Sequence, residues 1–298
     1  MVWQDASVPS DDDLTTNEGP PPLPTRRHRY RCPMRWGDMD AQDHVNNAFY
    51  LDYLQEARVD FLLSGPIALQ QLLATGVLVV SHQVEYLKPL RFGDRPLTID
   101  LWVDAVGGSR FAIGYDVYDG EQLVARARTG AVPYDLSSNR LRRLTTEERA
   151  LLSEFLDPTE PLPALPRQRV SDTDAVHRFP LYVRWSDLDS YGHVNNVKFF
   201  DYVQEARIAL IDDTVGWSDG AVWLVVRQDL EYLKPMDFAT TPYEVASVVS
   251  AIGNRSFRLE VLIRDPDTAT VFATARTVVV GATPLSDPAR EALSRWAR

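Results

Sequence analysis

The chain has 298 residues, a net charge of −11 and one cysteine. That length exceeds the ~100–200 residues usual for one domain, and the acidic balance argues against a nucleic-acid partner, which needs a basic patch or stripe. Cys32 has no second cysteine for an internal disulfide and fits a reducing compartment. With no leader-like segment and no apolar run of about 18 residues, a cytoplasmic protein without a membrane span is expected.

Residues 1–25 carry Asp11-Asp12-Asp13 and Pro20-Pro21-Pro22 with few apolar side chains, the composition of a disordered arm. A strand is expected near Arg29–Trp36, then a polar turn. From Asn47 to Leu63 there is neither Gly nor Pro, and Tyr50, Leu54, Ala57 and Phe61 recur on one face of a helix. Four segments rich in Val, Ile, Tyr, Phe and Thr follow, near 77–88, 96–106, 110–118 and 122–134. They read as antiparallel strands, with Asp119-Gly120 as a hairpin signal. Residues 26–144 thus form a first domain. Residues 145–177 hold a short helix, Thr145–Leu156, and a proline-rich linker.

The same order returns in 178–284, a second domain: a helix with Phe199, Val203, Ala206 and Leu210 inward, then strands near 221–233, 242–251, 256–264 and 270–280. Residues 285–298 end in a helix that Ser286 caps and Pro288 helps to start. The halves are a tandem duplication. Residues 35–58 and 184–207 agree at 14 of 24 positions, and the agreement falls on Arg, Asp, His, Asn, Glu and Gln while many apolar positions drift. A repeat that keeps polar side chains points to a preserved site more than a preserved core. Strand, helix and four strands, twice, make an α+β protein of helix against antiparallel sheet.

Asp40 and Asp189 each stand on the turn before a helix. A carboxylate there can be nucleophile or general base, and free N–H groups at the helix start can stabilise an oxyanion; the competing reading is a turn or capping aspartate. His44 and His193 recur four residues on, to orient a carbonyl, move a proton or bond the turn. Asn46 and Asn195 suit a water or a carbonyl oxygen, whereas Asn47 and Asn196 suit the helix cap. Asp38 and Asp187 pair with Arg35 and Arg184 in the simplest account, and Glu56 and Glu205 with Arg58 and Arg207. Lys88, Arg128, Arg227, Lys234 and Arg276 are candidate substrate-binding cations. Two aspartates and a histidine also allow a divalent ion, but no further His or Cys ligand recurs.

The motif Asp-x-Asp-x-x-x-His-Val-Asn-Asn resembles that of the hotdog-fold thioesterases of the 4-hydroxybenzoyl-CoA thioesterase class, especially the plant acyl-acyl-carrier-protein thioesterases. The resemblance covers about 28–135 and 178–281. It implies a long helix wrapped by a curved antiparallel sheet in each half, the two units forming an intramolecular pseudo-dimer with sites at their interface. It also implies hydrolysis of acyl-CoA or acyl-carrier-protein thioesters with no metal or organic cofactor, with Asp40, His44, Asn46, Asp189, His193 and Asn195 catalytic. Further self-association of the pseudo-dimer stays open, as do two other classes: a non-catalytic acyl-CoA or acyl-carrier-protein binding module, and a hotdog dehydratase. Asp43 stands where the second copy has Gly192, and an added carboxylate beside His44 makes Asp189 the expected leading site. Each turn should face the opposite half, near 226–232 for the first and 80–86 for the second.

Overall fold

The computed structural model describes residues 23–24, 26–167, 170, 175–216 and 222–297. Most of the arm read at 1–25 lies outside them. The first half runs β1 (His28–Cys32), α1 (Phe49–Ser64), α2 (Ile67–Thr75), β2 (Val77–Tyr86), β3 (Leu97–Val106), β4 (Phe111–Asp119), β5 (Gln122–Asp135), a two-residue β6 (Arg140–Leu141) and α3 (Thr146–Glu154). The second runs β7 (His177–Leu181), α4 (Lys198–Thr214), β8 (Trp223–Tyr232), β9 (Tyr243–Ile252), β10 (Ser256–Arg264), β11 (Val271–Gly281) and α5 (Asp287–Ser294).

The strands join in one antiparallel sheet of order β1-β3-β4-β5-β2-β8-β11-β10-β9-β7, with β6 on the end of β5. The halves meet where β2 pairs with β8, Ser81 opposite Glu231 through Glu85 opposite Arg227. Register shifts in β2–β5, β3–β4 and β10–β9 are bulges, which bend strands around what lies on their inner face. That inner face carries the helices. The stripe Tyr50, Leu54, Ala57 and Phe61 is buried in α1, as are Phe199, Val203, Ala206 and Leu210 in α4. Burial extends beyond one stripe to Leu51, Leu62 and Arg58, and to Phe200, Ile211 and Arg207, because each helix meets both the sheet and neighbouring elements.

Three local features differ from the sequence reading. β1 stops at Cys32, since Pro33 has no N–H to give the ladder, and Trp36–Asp38 is a 3-10 turn. The helix α2 was not anticipated; Pro66 precedes it and Gly76, at φ +130°, ends it. Finally, α3 and α5 are counterparts. Thr145 and Ser286 cap them, and the residues after each helix pair with equivalent strands, Leu156 with Val103 and Ala297 with Val249.

Beyond α3 the linker crosses the outer face of the sheet. Arg27 bonds Asp157, Arg128 bonds Thr159 and the Glu160 carbonyl, Arg227 reaches the Pro163 carbonyl, and Arg167 bonds Glu231. On that face Trp102 lies flat beneath the Arg27 guanidinium, 3.8 Å from ring centroid to Cζ. A Cβ added at Gly114 would lie 2.4 Å from Trp102 Cε2. Gly114→Ala is expected to destabilise the protein by about 1–3 kcal/mol, as overpacking does, read as a lower urea midpoint; an unchanged midpoint would mean the indole can move aside.

Candidate active site at the interface of the halves

Each motif turn is pinned in the same way. The Asp38 carboxylate, buried, accepts from Arg35 Nε at 3.0 Å and from the Tyr53 hydroxyl at 2.6 Å. Asp187 accepts from Arg184 Nε at 3.1 Å and Tyr202 at 2.8 Å. These aspartates are structural anchors. The turn then bridges Met39 to Val45, or Leu188 to Val194, and Val45 N–H donates to Leu90 as Val194 N–H does to Met236. At the tight point Asp43 takes φ +61° where Gly192 takes +82°. Asp tolerates the left-handed region, so both turns have one shape, and the Asp43 carboxylate stays out in solvent near Arg91.

Asp40 meets both of its sequence readings. Its Oδ1 accepts from Gln42 N–H at 2.8 Å and His44 N–H at 3.4 Å, an aspartate turn. Its Oδ2 makes no hydrogen bond among the described residues. Asp189 Oδ1 accepts from Tyr191 N–H at 2.8 Å. The asparagines divide between the turn and the interface. Asn46 Oδ1 accepts from Ala48 N–H and Asn195 Oδ1 from Val197 N–H, so these two hold the helix starts. Asn47 instead crosses to the other half, donating to Gln228 Oε1 at 3.4 Å and accepting from Arg207 at 3.0 Å. Asn196 Oδ1 meets His82 Nε2 at 3.0 Å.

A cavity of about 440 Å³ opens against the first turn. The first half supplies Asp40, Gln42, His44, Asn46, Asn47 and Tyr50, and the second half supplies Gln204, Arg207, Ile208, Ile211 and Trp223 through Val226. Gln42 and Trp223 exchange two hydrogen bonds across the interface, at 3.2 and 3.1 Å. The first turn therefore faces the opposite half, a few residues earlier on β8 than 226–232. His44 Nδ1 is buried there and has no hydrogen-bond partner among the described residues.

The second turn differs in the side chains packed beside it. His82 and Phe200 stand where the first site has Gln228 and Leu51. The His82 ring packs on Phe200 and Tyr232, each at 5.9 Å, with Phe199 5.2 Å beyond Tyr232. Asp189, His193 and Asn195 line neither the first cavity nor a second, polar one on the outer face of the seam. The 440 Å³ cavity is lined by Asp40 and not by Asp189.

Of the five candidate cations only Lys88 lines the first cavity, at its exposed edge. Arg128 pairs with Asp104, Arg227 with Asp229 at 2.6 Å and Arg276 with Glu231 at 2.9 Å, all on the outer face with the linker. Strand alternation put them on the side away from the helices. Lys234 occupies the position of Lys88 at the second turn. Glu56 and Glu205 are exposed on their helices and do not pair with the buried Arg58 and Arg207. Arg207 was missed as a site residue, yet it stands four after Val203, on the inward face of α4. Cys32 is buried, which pushes its thiol up to about 12 and leaves it unreactive. Among the described residues no three His, Cys, Asp or Glu side chains gather as a metal site, and no helix is long and apolar enough to cross a membrane.

Two helices on the inner face of one continuous antiparallel sheet, with a cavity between the first turn and the second half, define a tandem hotdog protein. The family model for the thioesterase-like superfamily matches residues 34–164 and 183–286, and the chain belongs to that superfamily. It is 30% identical over 114 residues to the chloroplast palmitoyl-acyl carrier protein thioesterase of Gossypium hirsutum, a match covering 36% of this chain and 28% of that protein. With the 1,4-dihydroxy-2-naphthoyl-CoA hydrolase of Nostoc punctiforme it is 31% identical over 121 residues, 40% of this chain and 81% of the other. In fold it is similar to the 12:0-ACP thioesterase of Umbellularia californica, with a TM-score of 0.70 at 18% identity over 86% of this chain and 94% of that one. It is also similar to an acyl-ACP thioesterase of Bacteroides thetaiotaomicron, with a TM-score of 0.65 at 14% identity over 85% and 98% of the two chains.

His82, buried beside the second turn, yields a test of that packing. Burial, then the nearby Arg58 charge, lowers its pKa from 6.5 to about 3 in the folded chain. Protonation therefore favours the unfolded chain: the His82 contribution is intact above pH 6.5 and is lost as pH falls toward 3. His82→Gln, the residue used at the matching position, should flatten the fall in stability between pH 6.5 and 5 by about 2 kcal/mol. Urea unfolding at both pH values checks this, and parallel losses in the two proteins would exclude a buried neutral His82.

Proposed function

We propose that the chain hydrolyses acyl thioesters of coenzyme A or acyl carrier protein at the first-turn cavity, with Asp40 as the base or nucleophile. The observation that supports this most is Asp40, whose Oδ2 makes no hydrogen bond among the described residues, on the wall of a cavity otherwise rich in apolar side chains from the opposite half. The acyl chain would lie against Ile208, Ile211 and Val225. The thioester carbonyl then comes beside Asp40, His44 and the start of α1. Asn47 N–H makes no hydrogen bond among the described residues and is a donor for the carbonyl oxygen. Acting as base, Asp40 takes a proton from water as the water oxygen bonds to the acyl carbon. The C–S bond then breaks, and the proton passes to the leaving thiolate. Lys88 at the exposed edge suits the phosphates of the carrier arm. Asp189, His193 and Asn195 preserve the duplicated turn and act as a secondary site at most.

Asp40→Asn keeps the turn-forming oxygen and removes the charge. Turnover measured as thiol release over a panel of acyl-CoAs and acyl-carrier-protein thioesters should fall by about 10²–10⁴-fold, with KM changed far less, while Asp189→Asn should retain most activity. Full thiol release by Asp40→Asn would remove Asp40 from the chemistry. Binding of acyl-CoA without hydrolysis by the unaltered chain would favour a carrier module instead, and hydration of an enoyl thioester in place of its hydrolysis would favour a dehydratase.

A further inference from the structure

Gln42 hydrogen-bonds in two directions. Its main-chain N–H donates to Asp40 Oδ1 at 2.8 Å. Its side-chain amide crosses the seam, Nε2 donating to the Trp223 carbonyl at 3.2 Å and Oε1 accepting from Trp223 N–H at 3.1 Å. Trp223 opens β8 opposite Gly281 of β11, whereas the pairing of β2 with β8 goes no further than Glu85 opposite Arg227. A primary amide carries the donor and acceptor of a peptide group, so Gln42 takes the place of a neighbouring strand where β2 no longer reaches. Both residues line the first-turn cavity. The second turn has Tyr191 at the matching position. Its N–H gives Asp189 Oδ1 the same bond at 2.8 Å, but among the described residues its phenol makes no hydrogen bond to the first half. The bridge across the seam therefore accompanies the turn that lines the cavity.

The site of the proposed reaction is assembled from two halves. The first supplies the Asp40 carboxylate on its turn, and the second supplies the apolar wall of Ile208, Ile211 and Val225. An acyl chain seated on that wall fixes the thioester carbon relative to the second half. The attacking group is fixed relative to the first. The anchors of the turn, Asp38 to Arg35 and Tyr53 and Val45 to Leu90, all lie within the first half. Reaction rates are sensitive to misplacement of reacting groups by about 1 Å, so the two halves need a tie at the turn itself. We propose that Gln42 is that tie, a positioning residue that sets the Asp40 carboxylate against the acyl wall of the opposite half. Asn47 makes a separate contact across the seam from a point beyond the turn. The proposal rests on the hydrolase reading above. Gln42 acts through Asp40, and its effect is confined to acyl chains long enough to be held by the wall.

The test compares kcat and KM of the full chain for decanoyl and butyryl thioesters, each on coenzyme A and on acyl carrier protein. Gln42→Met keeps the length of the side chain and removes both bonds to Trp223, leaving the main-chain N–H that holds Asp40. It should lower kcat for decanoyl thioesters by about 10–100-fold, with KM changed far less because the wall is intact. Butyryl thioesters, too short to lie along the wall, should lose little. Gln42→Ala should show the same pattern, which separates the lost bonds from any effect of bulk, and melting temperatures report that each variant is folded. Tyr191→Met at the second turn should leave both chain lengths unaffected. Equal kcat losses for decanoyl and butyryl thioesters would mean that Gln42 only shapes the turn and would overturn the proposal, as would a rise in KM at unchanged kcat or no loss at all. Any of these with thiol release by the unaltered chain overturns the positioning role alone. No thiol release from either carrier overturns the hydrolase reading, and this proposal with it.

Discussion

The antiparallel pairing of β2 with β8 is the constraint on which the rest of the molecule depends. Without it each half would end in an open strand edge, a liability folded proteins avoid. With it, two five-stranded units become one sheet, and the turn that begins the helix of one half is brought against the other half. Alternation along the seam does the sorting. His82, Val84, Gln228 and Leu230 enter the core, while Gln83, Asp229 and Glu231 point outward to the linker.

The outer face explains why so many arginines are retained beside the sheet. Arg27, Arg128, Arg227 and Arg276 are each matched to an aspartate or glutamate, and the linker from Asp157 to Arg167 lies across them. Pairs of this kind add little net stability, but breaking one leaves an unpaired charge in a partly dry place. They therefore select one course for the proline-rich segment and one register for the seam.

Duplication has produced two turns of one shape and two surroundings that differ. Two substitutions at matching places, His82 for Gln228 and Phe200 for Leu51, put aromatic rings beside the second turn, while the first keeps an open cavity whose far wall is built by α4 and the start of β8. The acidic Asp43, which made the first turn look the less regular of the two, adopts the left-handed backbone without disturbing the hydrogen bonds around Asp40.

Much of this was legible from residues alone. The polar repeat identified the two turns, helical spacing identified Tyr50 to Phe61 and Phe199 to Leu210 as core, and Val- and Ile-rich runs between turn residues identified eight of the strands, all of which follow from local periodicity and turn chemistry. The roles of Asn46 and Asn47 were not legible, because adjacent residues at a helix start point in different directions and only the packed interface decides which one caps. Nor was the assignment of Arg128, Arg227 and Arg276 to the outer face, which depends on strand phase. Which residues of the second half wall the cavity beside the first turn depends on residues about 150 apart in the chain meeting across one seam. Sequence determines the local conformations and the candidate chemistry; space and charge balance arise only when the two halves close on each other.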